Sequence, residues 1–111
     1  MGSLNRVILI GRAGNDPELK TLDNGNRVVN MSLATDESYI KKGTTEKVKQ
    51  TEWHNLEIWG AQADVAAKYV KKGDQVSVEG SIRTSSYEKD GVTKYTTKIK
   101  VENIILLGTK D

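Results

Sequence analysis

The chain has 111 residues, 36% hydrophobic and 29% charged, with 17 Lys and Arg against 15 Asp and Glu and a formal net charge of +2. That length and balance fit one soluble domain with a real core and exclude a disordered chain. With no cysteine, neither a disulfide framework nor a thiolate metal site can form. So small a net charge leaves the case for a polyanionic partner to the placement of the cations. The longest apolar run, Ile104 to Leu107, is far too short to cross a bilayer, and nothing reads as a signal peptide. Met1-Gly2 fails as a myristoylation signal because Arg6 stands where Ser or Thr is needed. Phenylalanine is absent, yet two Trp and four Tyr are present, which suggests amphipathic rings used at a surface.

In chain order, Val7 to Ile10 is a short apolar run closed by Gly11 and reads as a buried strand. Asp16-Pro17 and Asn24-Gly25 mark turns. Arg27 to Thr35 alternates as a second strand, with Val29, Met31 and Leu33 on one face. Residues 36–50 are polar and lysine-rich and suit a long, mobile hairpin or loop. Thr51 to Trp59 is a third strand ended by Gly60. The one convincing helix runs from Ala61 to Lys72, its apolar stripe built from Val65 with Tyr69 and Ala66 with Val70. Lys71, Lys72 and Gly73 supply the cations and glycine expected at its C-terminus. Gln75 to Tyr87 and Lys94 to Leu107 complete a hairpin around Asp90-Gly91. Three strands, one helix and two strands predict an all-β fold, a five-stranded Greek-key barrel of the OB type with its helix between the third and fourth strands.

Alternation assigns faces. Trp53, Asn55, Glu57 and Trp59 share the polar side of the third strand, opposite His54, Leu56 and Ile58. The two indoles are then roughly 20 Å apart, a span of several nucleotides. On the fourth strand Val76, Val78 and Ile82 point inward, and Ser77, Glu79, Ser81, Arg83, Ser85 and Tyr87 point out. Tyr39 lies in the polar segment, away from any core. Tyr69 and Tyr95 share parity with apolar residues and read as core or interface. Exposed rings among cations suit single-stranded nucleic acid, because every base has a π-face and every phosphate a charge. The expected phosphate contacts are Arg6, Arg12, Lys41, Lys42, Lys47, Lys49, Lys72, Arg83 and Lys89, with Lys94 also beside the last hairpin.

Catalysis has little to build on. His54 is the sole histidine, no phosphate-binding loop occurs, and the carboxylates lack metal-ligand spacing, so no enzyme, cofactor or metal is expected.

Leu4-Asn5-Arg6-Val7-Ile8-Leu9-Ile10-Gly11-Arg12 followed by Gly14-Asn15-Asp16-Pro17-Glu18 resembles the opening of bacterial-type single-stranded DNA-binding proteins. So do Ser32-Leu33-Ala34-Thr35, Thr51-Glu52-Trp53-His54, Tyr69-Val70-Lys71-Lys72-Gly73, Val78-Glu79-Gly80, and Asp90-Gly91 followed by Tyr95-Thr96-Thr97. The resemblance runs from about Leu4 to Leu107. It implies a single OB domain over residues 1–111, with 1–3 outside the fold, assembled as a homotetramer around single-stranded DNA in replication, repair and recombination. It also implies base stacking on Tyr39, Trp53, Trp59 and Tyr87, subunit contacts at His54, and a bacterial, nucleoid-associated cytoplasmic setting. Asn55, Ala61, Ser85 and Ser86 stand where relatives often carry cations, which predicts a shallower salt dependence. The sequence ends at Thr109-Lys110-Asp111 without the acidic tip that recruits partners in many relatives, which leaves the recruitment of replication and repair proteins open. Two alternatives fit the same elements: an OB-fold accessory protein of replication restart, and an interaction scaffold with its rings buried between subunits.

Overall fold

A computed structural model describes residues 2–108; the expectations for Met1 and for Thr109-Lys110-Asp111 fall outside the described residues. Among the described residues the elements are β1 (Val7–Ala13), β2 (Glu18–Thr21), β3 (Arg27–Ile40), β4 (Lys47–Trp59), α1 (Gly60–Tyr69), β5 (Gln75–Lys89) and β6 (Val92–Gly108). The sheet order is β1-β5-β6-β4-β3-β2, and pairing of β1 with β3 through Arg12 and Ala13 closes the barrel. Five strands form the barrel, while β2 is a short addition to the edge of β3. All residues of β2 are exposed, so it has no hydrophobic alternation to announce it.

The core is aliphatic. Val29, Met31 and Leu33 of β3 face Leu56 and Ile58 of β4, Val76 and Val78 of β5, and Ile99, Val101 and Ile104 of β6. Helix α1 packs Ala63 and Ala66 into the core, joined by Val70 just past its end, and Gln62 Oε1 accepts the backbone N–H of Ile104 at 3.2 Å. Arg27 pairs with Asp64 at 2.9 Å, tying the start of β3 to the helix. None of the six aromatic rings belongs to this core.

Several expectations need correction. The helix ends at Tyr69, before Lys71 and Lys72. Their backbone N–H groups are taken instead by Asp74 Oδ2 at 2.9 Å and Asp16 Oδ1 at 2.8 Å. Its buried stripe is Ala63–Ala66–Val70, leaving Tyr69 55% exposed beneath the Lys68 ammonium. Strand β1 is buried on one side only, for Ile8 and Ile10 are exposed. Of the two forms expected for residues 36–50, hairpin or loop, the hairpin is present: β3 and β4 stay paired in one unbroken register to Ile40 and Lys47, around a turn at 41–46.

The β5–β6 hairpin likewise outruns the barrel, turning at Asp90 and Gly91, both at positive φ as a tight primed turn requires. This explains Ile82 and Tyr95. Ile82 pairs with buried Ile99, so it keeps the core-facing side, and Tyr95 shares that side, but there is no core beneath either. Tyr95 is therefore exposed. Ser81, expected to face water, is buried, and its Oγ has no hydrogen-bond partner among the described residues. A register shift opposite Glu79 and Gly80 leaves Glu102 as an extra residue in β6, after which Ile104 rather than Ile105 faces inward.

Candidate nucleic-acid interface

One continuous outer face crosses β3, β4, β6 and β5. The antiparallel register places Trp53 opposite Ala34, Asn55 opposite Ser32, Glu57 opposite Asn30 and Trp59 opposite Val28. The parallel pairing of β4 with β6 then sets Glu57 beside Lys100. Across the last hairpin, Lys100 faces Ser81, Lys98 faces Arg83 and Lys94 faces Tyr87. Paired residues point to the same side of a sheet. Trp53, Trp59 and Tyr87 thus share a face with Arg83, Lys94, Lys98 and Lys100.

The rings differ in freedom. Trp53 is 61% exposed and lies against Gly14, with Ser32 alongside. Trp59 is half-buried where β4 enters α1, and its indole N–H donates to Glu57 Oε1 at 2.8 Å. Tyr87 is exposed on the projecting hairpin. On this face a groove of about 360 Å³ is lined by Asn15, Asn30, Met31, Ser32, Asn55, Leu56 and Lys98. Asn15 shapes its wall, because its Oδ1 accepts both the backbone N–H and the hydroxyl of Ser32, at 2.9 and 3.0 Å.

Tyr39 does not join this face. Its partner is Val48, and the unbroken register puts both on the side that carries Leu33 and His54 nearer the barrel. His54 is half-buried there, with Nε2 2.9 Å from Thr35 Oγ1. That bond gives it a structural role within this chain.

The expected phosphate contacts scatter more widely than the rings. Lys47 and Lys49 lie on the Trp53 side of β4, and Arg83 lies on the Tyr87 side of β5. Lys41 and Lys42 occupy the turn between β3 and β4, Lys72 follows the helix, and Lys89 ends β5. Arg6 is engaged with Glu79 at 2.8 Å, and Arg12 donates to the Gly73 carbonyl at 2.9 Å. Lys98 and Lys100 were missed by sequence reasoning, although their alternation with Ile99 and Val101 carried the signal. Asp36, on the same face as Trp53, accepts from the Thr51 hydroxyl at 2.6 Å and lies 3.5 Å from Lys49 Nζ. The Thr51 hydrogen bond foremost, aided by the Lys49 and Arg12 charges, holds its carboxyl below the usual carboxylate range. Among the described residues no group of three or more His, Asp or Glu could hold a metal ion, and no helix is long and apolar enough to cross a membrane.

A small closed barrel with an outer face of rings and cations defines an OB-type nucleic-acid-binding domain. The chain is similar to a solved structure described as the Plasmodium falciparum SSB complex with ssDNA, at 34% identity and a TM-score of 0.85, covering 96% of this chain and 97% of that one. The model of the Single-strand binding protein family matches residues 4–107, and the chain belongs to that family.

Proposed function

We propose that the chain binds single-stranded DNA without sequence preference along the outer face of β3, β4, β6 and β5, by stacking bases on Trp53, Trp59 and Tyr87. The observation that carries this is the register that sets these rings and Arg83, Lys94, Lys98 and Lys100 on one surface. Stacking contributes about 1–3 kcal/mol per base whatever the base is, and cations along the face add a salt-dependent attraction. Lys47 and Lys49 extend this face along the β3–β4 ribbon toward Lys41 and Lys42 at its turn, while Tyr39 offers a stacking platform on the ribbon's opposite side. Such binding suits protection of exposed strands in replication, repair and recombination, in a nucleoid-associated setting.

A titration with oligo-dT tests it: Trp fluorescence falls strongly if bases stack on the indoles. Unchanged emission would favour the scaffold reading, with the rings reserved for protein contacts. The slope of log K against log salt is expected to be shallow, because Arg6, Lys49 and Lys98 are each engaged with a carboxylate. A slope as steep as that of strongly basic relatives would remove this part of the proposal.

Self-association, as a homotetramer, is supported by a second surface. Ile8 and Ile10 on β1 lie across from Glu79 and Ser77, and Ser77 lies across from Ile105. These three isoleucines are exposed on one face, flanking Ser77 and Glu79, and exposed apolar side chains gathered in this way suit an interface between copies. Native mass measurement separates tetramer from dimer, and Ile10→Lys is expected to lower the oligomeric state.

A further inference from the structure

Glu57 is an unusual residue for a surface that receives phosphates. It stands near the centre of the outer face, two residues from each of Asn55 and Trp59, and only partly exposed. One carboxylate oxygen accepts the Trp59 indole N–H at 2.8 Å, while the other lies 3.8 Å from Lys98 Nζ. Lys98 is itself directly opposite Arg83 across the hairpin, and Lys100 is beside Glu57 across the parallel pair. Directly opposed like charges destabilise a sheet. A carboxylate reaching in from β4 relieves that repulsion while the face is empty.

We propose that Glu57 is a positioning residue of the DNA-binding face, holding the Trp59 indole in one orientation and acting as an internal counter-ion that an incoming phosphate displaces from Lys98. This rests on the outer face being the DNA surface. The two carboxylate oxygens do different work. The oxygen on the indole fixes the ring's edge, leaving its π-face to a base; the other neutralises Lys98 in the free protein. Binding then exchanges Glu57 for a phosphate at Lys98 rather than adding a free cation to the DNA, so the salt dependence loses about one contact. The Trp59–Glu57 bond need not break in that exchange.

Glu57→Gln separates the two roles, because its amide oxygen can still accept the indole N–H while the charge is gone. With oligo-dT, Glu57→Gln is expected to bind up to about fivefold more tightly at low salt. Its salt slope should steepen by about 0.7, the increment for one more phosphate contact on a single strand. Both gains should vanish in a Lys98→Gln background, a coupling that a merely structural effect would not produce. Glu57→Ala should also steepen the slope but release the ring. In a Trp53→Phe background, where Trp59 alone emits, Glu57→Ala should red-shift the free protein's emission and weaken its quenching by DNA, and Glu57→Gln should restore both. An unaltered slope in Glu57→Gln, or identical Trp59 emission in all three proteins, overturns the inference while leaving the DNA surface intact. Absence of quenching by oligo-dT in the parent chain overturns the surface itself and this inference with it.

Discussion

Gly14 lies directly against the Trp53 indole: a Cβ added to Gly14 would stand 2.5 Å from Cζ3, and it would also collide with Ser32 Oγ. The missing side chain is therefore what lets the most exposed ring of the outer face settle onto the loop after β1. Gly14→Ala must push the indole away or tilt it. Trp53 is 61% exposed and can move at little cost to stability, so the penalty should fall on binding. The expected loss is a large part of one stacking contact, about 1–3 kcal/mol. A double-mutant cycle with Trp53→Ala checks it, since the glycine effect should disappear once the ring is gone. Full additivity would mean that Gly14 acts by another route.

Gly80 makes the opposite prediction. A Cβ there would meet the backbone carbonyl of Lys100 and lie 2.8 Å from its carbon. Backbone in the middle of a paired strand cannot swing aside as an exposed indole can. Gly80→Ala should therefore destabilise the fold by about 1–3 kcal/mol or more, as overpacked cores do. Chemical denaturation of Gly14→Ala and Gly80→Ala side by side gives the contrast, with the large loss at Gly80 only.

Much of this architecture could be read before the fold, for physical reasons that also explain the failures. Strict alternation worked on β3 and β4 because their register is unbroken, so Trp53 and Trp59 fell on the right side of the sheet. It placed Ile82 inward wrongly, and of the core and interface readings of Tyr95 it leaves only the second, because alternation assigns a side, not a depth, and the β5–β6 hairpin carries that side beyond the core. Tyr69 is not in the core because α1 packs its alanines inward, and Ala63 and Ala66 are too small to outweigh a tyrosine in a periodicity count. Lys98 and Lys100 were passed over among many lysines. Only the neighbouring strand, which brings Glu57 and Arg83 to them, sets them apart.

Tyr39 and Trp53 lie on opposite sides of the β3–β4 ribbon, so one short stretch of bases cannot stack on both. Tyr39→Ala should therefore leave the affinity for an oligonucleotide at the short end of the OB range, about four to eight nucleotides, nearly unchanged. It should weaken binding of a longer strand that can pass around the ribbon's edge, whereas Trp53→Ala should weaken both. Equal losses for Tyr39→Ala and Trp53→Ala on the short oligonucleotide would place the two rings on one tract.

Asp36 sets a pH dependence whose sign can be worked out. Its folded carboxyl is held below the usual range by the Thr51 hydroxyl, with help from Lys49 and Arg12. The folded state therefore favours the ionised form, and the stabilisation is present above the unfolded value and lost as pH falls through the lower, folded one. Asp36→Asn should lower the melting temperature slightly at neutral pH, and the difference from the parent should close only in acid. Because the Asp36 carboxyl is open to solvent, the effect is small, and the carboxyl carbon shift followed by NMR titration is the sharper measurement. The consequence for binding follows from the same sign. From about pH 5 to 8 the carboxylate stays charged, keeps Lys49 occupied and repels phosphate by a constant amount. Asp36→Asn should thus tighten DNA binding equally across that range; a gain that fades toward its acid end would mean that Asp36 titrates there and that Thr51 and Lys49 do not hold it as the geometry implies.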